Sequence, residues 1–321
     1  MPLDPDFAAY TARVTAAVPR AAVDSPQARR ARMEAVIQRF PYPPDGVARS
    51  THWLSLPGRE LMVRLYRPAA GRLPALVYLH GGGWVAGSVD THDGTAAALA
   101  RDAGIVVASV QYRRAPENPF PAPNDDAYAA LAWLAQRADA LGLDAARLAV
   151  GGDSAGAHLA IGAALDARAR GAPRLVLQVL TYPVIAPDFD TPSYRRHADS
   201  PTLTRDEMIA YWRHYLPARS SDPRAVPGTA SLAGLPPACI LVAGLDPLRG
   251  EGVRFAERLE QAGVAVTLLE APTLAHGFLR AAPYVPEARR MQERMNRAAG
   301  AALHGTVDAG AALPMRAGGA S

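Results

Sequence analysis

The sequence predicts an α/β fold: a mostly parallel central sheet with helices on both faces. Two observations predict it. Short apolar runs recur from residue 75 onward, at 75–79, 105–110, 148–150, 175–180, 238–242 and 264–269. Helical stretches lie between several of them, near 91–103, 124–138, 155–170 and 248–262. Short runs that are apolar throughout suit strands covered on both faces, as parallel strands between helices are.

In chain order, the first 40 residues read as helical. Asp4 and Asp24-Ser25-Pro26 are helix starts, and the Ala- and Arg-rich runs after them carry apolar residues at helical spacing. Pro41-Tyr42-Pro43-Pro44-Asp45-Gly46 breaks the chain. Residues 51–56 and 61–66 alternate as two strands joined through Pro57-Gly58. The α/β alternation then runs on until residues 183–228, which are rich in Pro, Asp, Ser and Arg. One helix is expected there, near 204–216, opened by Thr204-Arg205-Asp206-Glu207 at capping-box spacing. This reading makes 1–45 and 183–228 two parts of a helical cap above the strand ends. It makes 46–182 and 229–302 the core, and the Gly/Ala-rich 303–321 a frayed tail.

Composition narrows the function classes. The chain has 321 residues, 49 % apolar and 20 % charged, which suits one large or two ordinary globular domains. All 34 basic residues are arginine, set against 30 acids for a net charge of +4. They are scattered, with no basic stripe or zinc-finger spacing, so no nucleic-acid partner is expected. The single cysteine, Cys239, excludes an intrachain disulfide and any multi-cysteine metal site, and its apolar neighbours make it a buried hydrophobe. Asp4 and Asp6 spoil a signal peptide, and no run of about 18 uninterrupted apolar residues exists to span a membrane. A cytoplasmic location is the expectation.

Four motifs carry chemistry. Gly152-Asp153-Ser154-Ala155-Gly156 stands between an apolar strand and an Ala-rich helix. A serine between glycines at such a turn is a nucleophile elbow, with its hydroxyl held clear of the sheet. The helix N-terminus beside it favours developing negative charge. His80-Gly81-Gly82-Gly83-Trp84 follows the strand at 75–79. Its glycines let main-chain N–H groups approach a small anion, as acyl transfer requires. The alternatives are a phosphate-binding turn or a plain glycine loop, but neither dinucleotide nor P-loop spacing is present. Asp246-Pro247-Leu248 and His276-Gly277-Phe278 each follow a strand, where open α/β sheets place their sites. Each alone reads as a turn or a satisfied histidine; together, Ser154, Asp246 and His276 stand in hydrolase order.

With these motifs the sequence resembles the hormone-sensitive-lipase-like esterases, the bacterial family IV group of the α/β-hydrolase superfamily. The resemblance spans roughly residues 74 to 300 and includes Asp90-Thr91-His92-Asp93, Tyr112-Arg113-Arg114-Ala115-Pro116-Glu117 and Phe120-Pro121-Ala122-Pro123. It implies an α/β-hydrolase fold with a helical cap, Ser154 as nucleophile, His276 as general base and Asp246 as the acid that orients it. It implies an oxyanion hole from the N–H groups of Gly82, Gly83 and Ala155, with His80 supporting the glycine loop. The implied activity is hydrolysis of short- to medium-chain carboxylic esters through an acyl-enzyme, with no cofactor and no metal. The implied partner is a small-molecule ester, and a homodimer is compatible with it. An amidase or deacetylase on the same triad is the enzymatic alternative. A hydrolase-fold receptor is disfavoured, because such receptors lose the histidine that His276 supplies.

Three positions depart from the family pattern. They are Arg114 for a usual Leu, Ala157 for a frequent Gly, and Gly250 for an acid that would stiffen the Asp246 loop. His158 is expected to be structural and His92 a cap or loop residue. Glu117 and Asp125-Asp126 read as loop and helix-start anchors, Tyr211, Trp212 and Tyr215 as packing of a cap helix, and Glu251 as pointing along the helix after Asp246. The remaining histidines, His52, His197, His214 and His304, show no metal spacing.

Overall fold

A computed structural model describes residues 1–43 and 45–306. Eight strands form one sheet: β1 (Ala48–Leu56), β2 (Arg59–Arg67), β3 (Leu73–Leu79), β4 (Val106–Val110), β5 (Leu143–Asp153), β6 (Leu177–Thr181), β7 (Ala238–Ala243) and β8 (Val266–Ala271). Their order is β1-β2-β4-β3-β5-β6-β7-β8. β1 pairs antiparallel with β2 across Pro57-Gly58, and β2 pairs antiparallel with β4. The remaining neighbours are parallel. β5 is the strand most underestimated from sequence. After buried Leu143, its first half carries the polar Asp144 and Arg147 and the exposed Ala145 and Ala146, which break the apolar run that marks its second half.

The helices are α1 (Pro5–Ala17), α2 (Pro26–Arg39), α3 (Asp93–Ala103), α4 (Ala122–Gln136), α5 (Ala155–Arg170), α6 (Pro192–Arg196), α7 (Arg205–Tyr215), α8 (Arg249–Gln261) and α9 (Pro286–His304). Side-chain alternation along β3 separates two cores. Ala75, Val77 and Leu79 pack with Leu131 of α4, Ile161 of α5 and Phe255 of α8. Leu76 and Tyr78 face the other way, with Leu99 of α3 and Met291 of α9. α9 is not among the helices expected from sequence. Its signal is the four-residue spacing of the buried Met291, Met295, Ala299 and Leu303 behind Pro286. It runs into the stretch expected to fray, and 307–321 lie outside the described residues.

The N-terminal helices start where their caps predict: Asp4 accepts the Phe7 N–H at 2.9 Å and Ser25 the Ala28 N–H at 3.1 Å. α1 is held by aromatic packing, with Tyr10 at 5.7 Å from Phe40 and 5.5 Å from Tyr284 between ring centres. α7 begins with the expected capping box between Thr204 and Glu207. Its Trp212 and Tyr215 pack on Trp84, 4.8 and 4.3 Å between ring centres, so α7 is seated on the loop after β3.

Candidate active site

Ser154 occupies the turn from β5 into α5 with φ 56° and ψ −120°. A non-glycine residue at positive φ is strained, and the surroundings must impose it. They do so through the flanking glycines: a Cβ on Gly152 or Gly156 would overlap the carbonyl oxygen of Leu79. β3 therefore ends directly beneath the serine. The Ser154 N–H donates to the Thr181 carbonyl at 2.9 Å, which fixes the turn to β6.

The structure brings the three expected side chains together. His276 Nε2 lies 2.8 Å from Ser154 Oγ, and His276 Nδ1 lies 2.7 Å from Asp246 Oδ2. Asp246 is fully buried, and its other oxygen accepts the Leu248 N–H at 2.9 Å. With the proton on Nδ1 donated to Asp246, Nε2 is free to accept from the serine hydroxyl. A serine, imidazole and carboxylate so arranged can convert a hydroxyl into a nucleophile.

Gly82 and Gly83 face the same cavity as Ser154. Both have positive φ, 126° and 61°, and a Cβ would strike the Ala86 carbonyl at Gly82 or the Tyr211 ring at Gly83. Among the described residues, no acceptor pairs with the N–H groups of Gly82, Gly83 or Ala155. Main-chain donors left without partners beside the serine suit an oxygen that gains charge.

The glycine loop is held from beneath. Asp153 Oδ1 accepts the Gly81 N–H at 2.8 Å and the Tyr78 hydroxyl at 2.7 Å. Burial would raise the Asp153 carboxyl, but His92 and Tyr78 outweigh it and hold it well below the usual carboxylate range. His92 is thus more than the expected cap residue: it makes no side-chain cap bond, and its Nε2 lies 3.6 Å from Asp153. His80 stacks on Tyr112 at 4.2 Å, and its Nδ1 lies 2.9 Å from the Gly81 carbonyl. Burial first, and the neighbouring His92 second, push its pKa down to about 3, so it is neutral. Arg114 donates to the Gly87 carbonyl at 2.7 Å, tying down the far side of the loop. Glu117 pairs with Arg30 of α2, and buried Asp126 anchors Arg59 and Arg113.

Three further expectations change. Gly250 does not loosen the Asp246 loop. Its N–H donates to Ser193 Oγ at 3.1 Å, Ser193 donates to the Pro247 carbonyl at 2.8 Å, and a Cβ at 250 would meet Ser193 Oγ at 2.7 Å. Ser200 adds a bond to the Leu245 carbonyl at 3.2 Å. Glu251 lies on α8 as expected, but its side chain is buried and accepts the Ala186 N–H at 3.0 Å. Burial pushes its pKa well up, and nearby Asp246 adds to the effect. His158 is buried as expected, its Nε2 3.1 Å from the Ala225 carbonyl and its ring edge-on to Trp84. Of the α7 aromatics, Trp212 and Tyr215 pack as expected, whereas Tyr211 faces the cavity.

The cavity above Ser154 has a volume of about 300 Å³ and is walled by α1, α2 and α7 together with the two loops. Among the described residues, no three His, Cys, Asp or Glu side chains gather as a metal site, and no helix is long and apolar enough to cross a membrane.

Known proteins agree with this architecture. A family model described as the alpha/beta hydrolase fold matches residues 76–280. The carboxylesterase NlhH of Mycobacterium tuberculosis is 44 % identical over 253 residues, covering 76 % of this chain and 79 % of that protein. The ethyl acetate hydrolase of Pseudomonas putida is 41 % identical over 308 residues, covering 90 % of this chain and 95 % of that protein. The solved hyperthermophilic esterase of Pyrobaculum calidifontis superposes with a TM-score of 0.86 at 36 % identity, covering 95 % of this chain and 99 % of that one. The chain belongs to the hormone-sensitive-lipase-like carboxylesterases of the α/β-hydrolase superfamily.

Proposed function

We propose that the protein is a serine carboxylesterase for short- to medium-chain esters, with Ser154, His276 and Asp246 as its triad. The observation that carries this reading is the unbroken relay from Ser154 Oγ through His276 to Asp246, at 2.8 and 2.7 Å. Ser154 Oγ attacks the ester carbonyl while His276 Nε2 takes its proton. Asp246 holds the ring in the tautomer that leaves Nε2 free, and stabilises the imidazolium that forms. The carbonyl oxygen gains charge beside the N–H groups of Gly82, Gly83 and Ala155. His276 then gives its proton to the departing alcohol, leaving the acyl group on Ser154. Water, deprotonated by His276, releases the acid and restores the serine.

Residues 1–45 and 183–228 act in this proposal as a cap that ends the acyl pocket. The position of α1, α2 and α7 around the cavity supports that role. Ser154→Ala tests the assignment. With a circular dichroism spectrum unchanged from wild type, hydrolysis of p-nitrophenyl butyrate is expected to fall about a million-fold, as in the subtilisin triad. Retention of a tenth of the activity contradicts the assignment.

A further inference from the structure

Four arginines, Arg20, Arg29, Arg32 and Arg280, face the cavity that holds Ser154. Arg20 is paired with Glu207, and Arg29 with Asp24 through two nitrogens. Arg32 and Arg280 have no such partner among the described residues. Among the described residues, the one hydrogen bond of the Arg32 side chain goes to the Val18 carbonyl at 3.3 Å. The Arg280 guanidinium lies against Gly277, where a Cβ would meet its Nη2 at 2.8 Å, and so sits next in chain to His276. Asp153 also faces the cavity and feels the Arg280 charge, but no hydrogen bond joins the two, and its oxygens accept from Gly81, Tyr78 and Tyr182.

Both guanidinium groups remain charged at neutral pH. Burial lowers the Arg32 pKa, and the charges of Arg20 and Arg280 lower it further, only partly offset by Glu207 and Tyr211, so these cations sense one another. A half-buried cation with no carboxylate bonded to it is unfavourable, and two that face one cavity are more so. A planar guanidinium matches a carboxylate in particular, because its N–H groups form a fork. The lining also includes the apolar side chains of Val14, Met33, Leu203 and Met208. Such a cavity suits a short chain with an ester at one end and a negative charge at the other.

We propose that the substrates are esters bearing a free carboxylate, namely half-esters of short dicarboxylic acids or esters of hydroxy acids, with that carboxylate held by Arg32 and Arg280. The inference rests on the carboxylesterase reading and narrows it.

Two matched pairs of esters test it in the full-length protein. One is ethyl hydrogen glutarate against its uncharged isopropyl-ended isostere. The other is the butyrate ester of hydroxypropanoic acid against isoamyl butyrate. In at least one pair, kcat/KM is expected to favour the acid-bearing ester by about tenfold or more, as charge-assisted hydrogen bonds allow. Arg32→Gln and Arg280→Gln are each expected to cut that ratio by about fivefold or more, and about 0.5 M salt narrows it in wild type. Ratios at or below one in both wild-type pairs overturn the proposal, while turnover of the neutral esters leaves the esterase reading standing. No turnover of any ester overturns both. A preference that survives both substitutions also overturns it. Should the variants not fold, a wild-type preference indifferent to salt decides against it, and one that salt abolishes decides for it.

Discussion

The carboxylate of Asp153 accepts the main-chain N–H of Gly81 at 2.8 Å, joining the residue before the serine to the first glycine of the loop opposite. The turn that carries Ser154 and the loop that carries the Gly82 and Gly83 N–H groups are therefore one body. Asp153→Asn keeps the size but offers one acceptor oxygen where the carboxylate satisfies Gly81, Tyr78 and Tyr182. We expect kcat for p-nitrophenyl butyrate to fall about tenfold to a hundredfold, less than the loss of an oxyanion donor outright. Steady-state kinetics beside a thermal melt check this. Wild-type kcat in a folded variant contradicts the coupling.

Asp246→Asn is expected to lower kcat by about ten-thousand-fold, because the amide favours the wrong histidine tautomer. Glu251→Gln is expected to leave it within about threefold, because burial disfavours the charged form of that side chain and it does not touch His276. Assaying both variants on one ester ranks the two carboxyls. A larger loss from Glu251→Gln reverses the assignment of the acid.

Glu251 also sets a pH dependence of stability. Its pKa is raised in the folded protein, chiefly by burial. Between its unfolded and folded pKa values the native state holds a proton that the unfolded state has released. Stability is therefore lost as pH rises, at up to about 1.4 kcal/mol per unit from this group. Gln keeps an acceptor for the Ala186 N–H and does not titrate. The melting temperature of Glu251→Gln is expected to gain on wild type as pH rises above the ordinary carboxylate range. A difference that does not change as pH rises counts against a raised Glu251 pKa.

Chain length is the remaining prediction. Each buried methylene favours binding by about 0.8 kcal/mol until the pocket ends. Beyond that a longer chain must displace packed side chains. Among neutral p-nitrophenyl esters, acyl chains of about C4 to C8 are expected to outperform C16. Removal of residues 1–40 opens the cavity wall formed by α1 and α2, and should flatten the profile and lower stability. An optimum at C16, or an unchanged profile after truncation, counts against the cap.

What the sequence made legible is what local sterics dictate. Gly152 and Gly156 are required because Leu79 ends beneath Ser154, so the elbow is written in neighbouring residues. The glycine loop is equally local, and Asp246 and His276 stand out because each follows an apolar strand. What stayed hidden is assembled across long separations. Arg32 and Arg280 lie far apart in the chain and share only the cavity they line, so neither has a local signature. The same holds for Ser193 bonding to Gly250: an absent acid at 250 looks like a lost anchor until the serine that fills the space is seen. α9 did carry a signal, the spacing of Met291, Met295 and Ala299, but its many arginines masked it.

The most direct measurement of the central claim is labelling with diethyl p-nitrophenyl phosphate, followed by intact mass and peptide mapping. An activated Ser154 displaces p-nitrophenolate and keeps one diethylphosphoryl group. The account predicts a single adduct on the peptide containing Ser154, with esterase activity lost in proportion to its formation and no adduct in His276→Ala. Modification at another residue, or full activity in quantitatively labelled protein, would contradict it.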